Sequence, residues 1–225
     1  MPRIARLVCP GVPHHVTQRG NRRSQVFFSD ADYRSYLSWL HFDAKRYGAE
    51  VLAYCLMPNH VHLVLVPHDK QSIEYILRHL HMRYAQRANR QNGWNGHLWQ
   101  GRYFSSPLDE PHLWVALRYV ELNPVRAGLS ARAEDYNWSS ALAHCNARSE
   151  PVLSRDPKWT RQLEAIDDWS SWLASGVDQS AVERIRRMTA SGMACGSPQF
   201  VELLQSRTGR NLVRRPSGRP RRAPK

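Results

Sequence analysis

The spacing of apolar residues between positions 12 and 123 changes repeatedly, and this change of period most constrains the fold. Residues 12–18, 50–57, 60–67 and 102–108 are short, apolar or alternating segments, which is typical of β-strands. Residues 30–47, 72–92 and 109–123 instead repeat apolar side chains every three or four positions, as helices do. The order β-α-β-β-α-β-α predicts an α+β fold in which helices cover an antiparallel sheet.

The amino-acid composition changes beyond Trp138, where polar stretches and a Trp-rich segment follow. We predict a main domain over residues 1–146 and a helical C-terminal region over residues 147–204, with helices near 179–191 and 197–208. Residues 205–225 carry eight Arg or Lys and no acidic residue, a composition typical of a disordered tail. Such a tail is either a nucleic-acid arm or a solubilising extension, and the overall charge favours the arm.

The net charge of the chain is +13. A surface of this kind attracts polyanions by neutralising phosphates and releasing counterions, so nucleic acid is the favoured partner. An anionic membrane surface is less favoured, because the sequence shows no strongly amphipathic basic helix. Without an apolar run of about 20 residues or a secretory signal, a cytoplasmic protein is expected. The four cysteines lie far apart with no CxxC pair, which argues against a zinc or redox motif.

His60 and His62 form an HxH pair within a predicted strand. Side chains two apart on a strand point to the same face, so both imidazoles can approach one metal ion while Val61 faces the core. An isolated HxH is more often simply a polar pair on a solvated strand face. The pair alone is therefore weak evidence for a metal site.

Tyr119 and Asn123 lie four positions apart on the third predicted helix, and residues at that spacing are neighbours on a helix surface. Both fall off the apolar stripe of that helix, which consists of Leu113, Ala116, Leu117 and Val120. Tyr119 is then either a functional residue or a tyrosine at the rim of the core, with a buried ring and a solvated hydroxyl. Position alone does not separate these two interpretations.

Several motifs in the same order resemble a known family, the REP-associated tyrosine transposases, which belong to the single-tyrosine transposases of the HUH class. The motifs are HVTQRGN at 15–21, VFF at 26–28, MPNHVH at 57–62, WQGRY at 99–103, YVELNPVRAGL at 119–129, YNWSS at 136–140 and GRP at 218–220. With gaps, this resemblance covers nearly the whole chain.

The resemblance implies a ferredoxin-like HUH fold with a small helical, basic C-terminal extension. It implies that Tyr119 is the nucleophile and that His60, His62 and Asn123 hold Mg²⁺ or Mn²⁺. Related transposases often have Gln at the last position, and the shorter Asn favours a contact through water. A structural zinc fits less well, since no cysteine lies at ligand spacing.

The implied substrate is single-stranded or hairpin DNA at repetitive palindromic (REP) elements, with the protein associated with a bacterial nucleoid. The resemblance favours a monomer acting in cis, although related insertion-sequence enzymes form dimers. The candidate DNA-binding residues are Arg19, Arg22, Arg23, Arg102, Arg219, Arg221 and Arg222. The GRPR segment at 218–221 resembles an AT-hook core. Two other functions stay open: a DNA-binding protein with little turnover, and a metal-dependent nuclease that uses water as its nucleophile.

Overall fold

The computed structural model describes residues 6–145 and 148–212. Its sheet consists of β1 (His14–Arg19), β2 (Ala49–Met57), β3 (His60–Pro67) and β4 (Phe104–Pro107). These strands lie in the order β2-β3-β1-β4, and all neighbours are antiparallel. The predicted α+β class and ferredoxin-like arrangement are therefore confirmed. The two central strands, β1 and β3, are the ones that carry the HVTQRGN and HxH motifs.

Helices join and cover these strands. They are α1 (Asp30–Tyr47), α2 (Ser72–Asn92), α3 (Glu110–Glu121), α4 (Asn123–Arg126), α5 (Ala141–His144), α6 (Pro157–Leu163), α7 (Trp169–Ala174), α8 (Gln179–Ser191) and α9 (Pro198–Thr208). Local sequence fixes several of their ends. Ser29 and Asp32 form a capping box at the start of α1, and Gly48 ends that helix in the left-handed conformation. At α3, the Asp109 side chain accepts a hydrogen bond from the backbone N–H of His112.

The alternation of side chains along β3 assigns each residue to one of two apolar layers. Val61, Leu63 and Leu65 pack with α1 and α2 on one face of the sheet. Val64 and Val66 pack with α3 and the C-terminal helices on the other face. His62 alternates with Val61 and Leu63, so it lies on the same face of β3 as Val64 and Val66, the face that α3 covers. Val61 is in the core on the other face, as the sequence predicted.

The C-terminal helices continue the second layer. Trp169 and Leu173 of α7 and Val182 and Ile185 of α8 are buried in the same cluster as α3. Helix α8 is amphipathic and basic, a feature that the sequence analysis did not identify. Its apolar side is used within the fold, because it packs against β4 and α3. The backbone beyond it pairs with the edge of the sheet, where the N–H of Cys195 donates to the carbonyl of Pro107 at 2.8 Å.

Several predicted boundaries change, and β1 begins at His14 rather than residue 12. Strand β4 begins at Phe104 rather than Arg102, and α3 ends at Glu121. Asn123 therefore starts α4 instead of ending α3, because Pro124 has no N–H with which to continue the helical hydrogen bonds. Helix α9 extends to Thr208, so the predicted tail starts too early at residue 205; Leu204 is buried and holds this helix against the N-terminal segment. Residues 213–225 lie outside the described residues.

Within residues 6–145 and 148–212, no helix combines the length and the apolar character that a membrane crossing requires.

Candidate active site

The HxH strand, β1, α3 and α8 enclose one cleft of about 580 Å³. Strand register brings these elements together, since His62 on β3 lies opposite Thr17 on β1. The cleft is lined by His15, Thr17, Gln18, Arg19, His60, His62, Gln100, Phe104, Tyr119, Asn123, Arg126, Ala127, Arg186, Thr189 and Ala190. The four residues that the sequence analysis placed at the reaction centre, His60, His62, Tyr119 and Asn123, are thus together in space.

Hydrogen bonds to the Nδ1 atoms orient both imidazoles of the HxH pair. The Nδ1–H of His60 donates to the Asn59 side-chain oxygen at 2.6 Å. His62 Nδ1 lies 2.9 Å from His15 Nε2, and His15 Nδ1 lies 2.8 Å from the Thr189 hydroxyl. With Nδ1 occupied in each ring, Nε2 is the nitrogen left to bind a ligand in the cleft.

Burial keeps these imidazoles neutral. It lowers the pKa of His60 to about 4, and the nearby Arg19 and Arg186 act in the same direction. Burial also lowers the pKa of His62 well below its ordinary value, with His60, His15, Arg19 and Arg186 adding to the effect. For His15, burial alone lowers the pKa to about 3. Neutral imidazole is the form that binds metals.

Tyr119 is only 3% exposed, and its hydroxyl points into the cleft. Arg186 Nε donates a hydrogen bond to this hydroxyl at 3.2 Å. The guanidinium carbons of Arg126 and Arg186 each lie 5.3 Å from the centre of the ring. Arg118 turns away and donates to the carbonyl of Gly176. Tyr119 is therefore neither ordinary core nor a solvated rim residue, because its ring is packed while its hydroxyl contacts a cation.

Asn123 places a buried amide beside these groups. Its Nδ2 atom has no hydrogen-bond partner in the described part of the chain. An unpaired buried amide is costly, so a ligand in the cleft is the natural partner for this side chain.

The side chains of the cleft supply only part of the ligands that a divalent metal needs. Two imidazole Nε2 atoms and one amide suit Mn²⁺ better than the harder Mg²⁺, which prefers oxygen ligands. The cleft lining contains three arginines and no carboxylate, and residues 6–145 and 148–212 contain no group of three or more His, Cys, Asp or Glu able to hold a metal. The donor set therefore fits a metal whose remaining ligands come from water and from an anionic substrate.

The candidate DNA-binding arginines occupy different places. Arg19 lines the cleft itself. Arg22 and Arg23 are exposed on the turn after β1, with φ values of 53° and 63°. Arg102 lines a neighbouring groove, together with Arg6, which stacks on Tyr103. The two hollows adjoin, because Gln18 lines both. Arg219, Arg221 and Arg222 lie outside the described residues.

Sequence patterns did not reveal several residues of the cleft, among them His15, Arg186 and Thr189. His15 could have been found from strand alternation, since it has the same parity as Thr17, which faces the HxH pair. Nothing in the local sequence marks Arg186 or Thr189, because a helix pattern does not reveal where the helix docks.

Comparison with known proteins identifies a family for this chain. The model of a family described as "Transposase IS200 like" matches residues 11–123. A REP-associated tyrosine transposase of Haemophilus influenzae is 25% identical over 107 residues, which are 43% of this chain and 61% of that protein. The aligned part thus spans less than two thirds of this relative.

Two solved structures are similar. One is described as a REP-associated tyrosine transposase bound to a REP hairpin; the match covers 69% of this chain and 93% of that chain, with a TM-score of 0.55 and 19% identity. At this identity the likeness shows the fold. The other, a transposase from Deinococcus radiodurans, matches 53% of this chain and 96% of its own at 22% identity, with a TM-score of 0.38.

Proposed function

The chain belongs to the IS200-like transposase family, and from that premise we propose that it cleaves and rejoins single-stranded DNA at REP-like hairpins through a 5′-phosphotyrosine on Tyr119. One observation carries the proposal. The Tyr119 hydroxyl contacts the guanidinium of Arg186 in a cleft that also holds His60 and His62 and lacks any carboxylate. Such a cleft suits a phosphodiester and places a nucleophile beside it.

In this reaction the Tyr119 oxygen attacks phosphorus while the bond from phosphorus to the 3′ oxygen breaks. The phenol loses its proton, and the departing 3′ oxygen gains one. The products are a 5′-phosphotyrosine and a free 3′-OH, and attack by a 3′-OH on the phosphotyrosine reverses the step without an external energy source. A Mg²⁺ or Mn²⁺ ion bound to His60, His62 and Asn123 would neutralise the phosphate and favour departure of the 3′ oxygen.

Other side chains would bind the phosphodiester, orient His62 and recognise the hairpin. Arg19 and Arg126 line it and are placed to bind the non-bridging oxygens of a phosphodiester. The chain of contacts from Thr189 through His15 to His62 holds the His62 ring with Nε2 toward the substrate. For hairpin recognition, the adjoining groove that contains Arg102 and Tyr103 offers a cation and an aromatic ring.

The position of a DNA label tests the chemistry. The protein is incubated with hairpin DNA carrying a single-stranded extension and Mn²⁺, then run on a denaturing gel. With a 3′ label we expect a band of protein size, and with a 5′ label a shortened free strand. A hydrolytic nuclease would give a shortened free strand with either label and leave no adduct. A DNA-binding derivative without turnover would shift the DNA on a native gel and cut neither.

We also propose that the protein acts as a monomer in cis, since Tyr119, His60 and His62 of one chain line one cleft. Mixing two inactive variants tests this. Tyr119→Phe and His60→Ala combined should form no adduct if each site belongs to one chain. Recovery of adduct in the mixture would show a dimer that shares sites in trans.

A further inference from the structure

Helix α8 supplies a side chain to the reaction centre from beyond residues 11–123, the part that the family model matches. The helix is firmly attached to the fold. Asp178 caps its first turn, Gly192 ends it in the left-handed conformation, and Val182 and Ile185 are fully buried. Arg184 Nη2 donates to the carbonyl of Gly196 at 2.9 Å.

Contacts on both sides of α8 fix where its polar face points. Before the helix, Arg118 of α3 donates to the carbonyl of Gly176 at 2.6 Å and stacks on Trp172. Within it, Thr189 contacts the His15 ring of β1. The packing of α8 therefore places Arg186 beside Tyr119, and although the Arg186 side chain is exposed, its guanidinium reaches the Tyr119 hydroxyl.

We propose that Arg186 is a catalytic residue of the cleavage proposed above, on which this inference rests. Its Nε–H donates to the Tyr119 oxygen, the atom that forms the new bond to phosphorus. As the phenol loses its proton and the oxygen attacks, the guanidinium stabilises the negative charge that develops on that oxygen. The same cation meets the oxygen again in the reverse step, when the phosphotyrosine is released.

The hydrogen bond to the Tyr119 hydroxyl separates Arg186 from Arg126, the other cation near the ring. Arg126 lies at the same 5.3 Å from the ring centre, whereas the recorded hydrogen bond to the hydroxyl comes from Arg186. Arg186 forms no ion pair with a carboxylate in residues 6–145 and 148–212. Its charge is thus available to the phenol oxygen. A fixed donor aimed at a developing negative charge is an effective form of catalytic stabilisation.

Arg187 is a matched control, because it is exposed, carries the same charge and is the next residue on α8. We compare Arg186→Gln with Arg187→Gln in single-turnover adduct formation at saturating hairpin DNA and Mn²⁺. Arg186→Gln should slow the step by about 100-fold, as loss of one oxyanion donor does, while Arg187→Gln should stay within a few-fold of the wild type. DNA affinity should fall equally in both, since each loses one positive charge. Arg186→Lys, which keeps the charge, should recover part of the rate.

Other outcomes overturn the proposal. Equal rates for the two Gln variants would make Arg186 an ordinary surface charge. A faster rate for Arg186→Gln would show that α8 covers Tyr119 and restrains it. A slower rate explained wholly by weaker DNA binding would make Arg186 a DNA-binding residue only. If the wild type forms no adduct, the proposed function itself fails, and that result is distinct from a wild-type adduct that Arg186→Gln leaves unchanged.

Discussion

At the scale of single residues, one buried carboxylate organises the surroundings of Tyr119, the proposed nucleophile. Glu121 is fully buried two positions after Tyr119. One of its oxygens contacts His144 Nδ1 at 2.6 Å and also accepts from the Ser140 hydroxyl, and the other accepts from Trp169 Nε1 at 2.6 Å. The network joins α3 to α5 and α7, and α8 packs against α3.

Removing that carboxylate should destabilise the fold. Glu121→Ala leaves His144 Nδ1 and the buried Trp169 Nε1 unpaired, while Ser140 keeps its bonds to the Tyr54 backbone. Breaking such a network costs about 3 to 5 kcal/mol in the free energy of unfolding. Exposed Glu183 on α8 serves as the control, because Glu183→Ala should change stability by less than about 0.5 kcal/mol. Urea unfolding followed by circular dichroism measures both. Equal midpoints for the two variants would mean that the network contributes nothing.

From the charges of the cleft we expect that binding of the proposed metal depends on substrate. Arg19, Arg126 and Arg186 repel a divalent cation, and no lining carboxylate offsets them. A bound phosphodiester supplies both negative charge and oxygen ligands. We therefore expect Tyr119→Phe protein, which cannot react, to bind Mn²⁺ roughly tenfold more tightly with hairpin DNA present, and Mn²⁺ to tighten DNA binding by the same factor. Electron paramagnetic resonance of free Mn²⁺ measures this affinity. The same affinity with and without DNA would contradict the charge argument.

At the scale of helices and strands, the contact between Thr189 and His15 joins α8 to β1. Thr189→Val keeps the shape of the side chain but removes the hydroxyl that meets His15 Nδ1, so a buried imidazole loses its partner. We expect a loss of about 1 to 3 kcal/mol in the free energy of unfolding. Thr189→Ser keeps the hydroxyl and should lose less. If Val and Ser are equally stable, the hydrogen bond does not join the two elements.

Sequence periodicity predicted the sheet, α1, α2 and α3 because each element alternates or repeats in its own segment. Parity along β3 and spacing on α3 also predicted that His60 and His62 share a face and that Tyr119 lies off the apolar stripe. That these side chains share one site was implied only by the resemblance to the tyrosine transposases. The part played by α8 is different. Its pattern shows an amphipathic helix, but Arg186 meets Tyr119 only through tertiary packing across 67 positions of the chain, and no local period records such a contact.

At the scale of the whole molecule, the cations behind the net charge of +13 include two distinct groups, one in the cleft and one in a basic C-terminal segment. Three arginines lie in the cleft, where position matters for chemistry. Residues 213–225 carry six Arg or Lys, which are expected to attract phosphates with little regard to sequence. We therefore expect that the segment contributes to DNA affinity and that the cleft determines the cut position.

Truncation after Leu212 tests the division. If all six charges contact single-stranded phosphates, the slope of log affinity against log salt should become shallower by up to about 4, with the cut position unchanged. A full-length variant with these six residues changed to Gln should behave alike if charge is the cause. An unchanged slope would mean that the segment does not touch DNA. A shifted cut would mean that the GRP segment at 218–220 reads the DNA.

The central claim is that Tyr119 forms the covalent bond to DNA, and mapping the adduct tests it most directly. Trypsin cuts after Arg118 and after Arg126, which releases residues 119–126 (YVELNPVR) with a single tyrosine. After reaction with hairpin DNA and Mn²⁺ and nuclease trimming, mass spectrometry should find the nucleotide on this peptide. Tyr119→Phe should give no adduct while binding DNA within a few-fold of the wild type, since only the phenolic oxygen is lost. A nucleotide on any other peptide, or an adduct of normal yield in Tyr119→Phe, would show that Tyr119 is not the nucleophile.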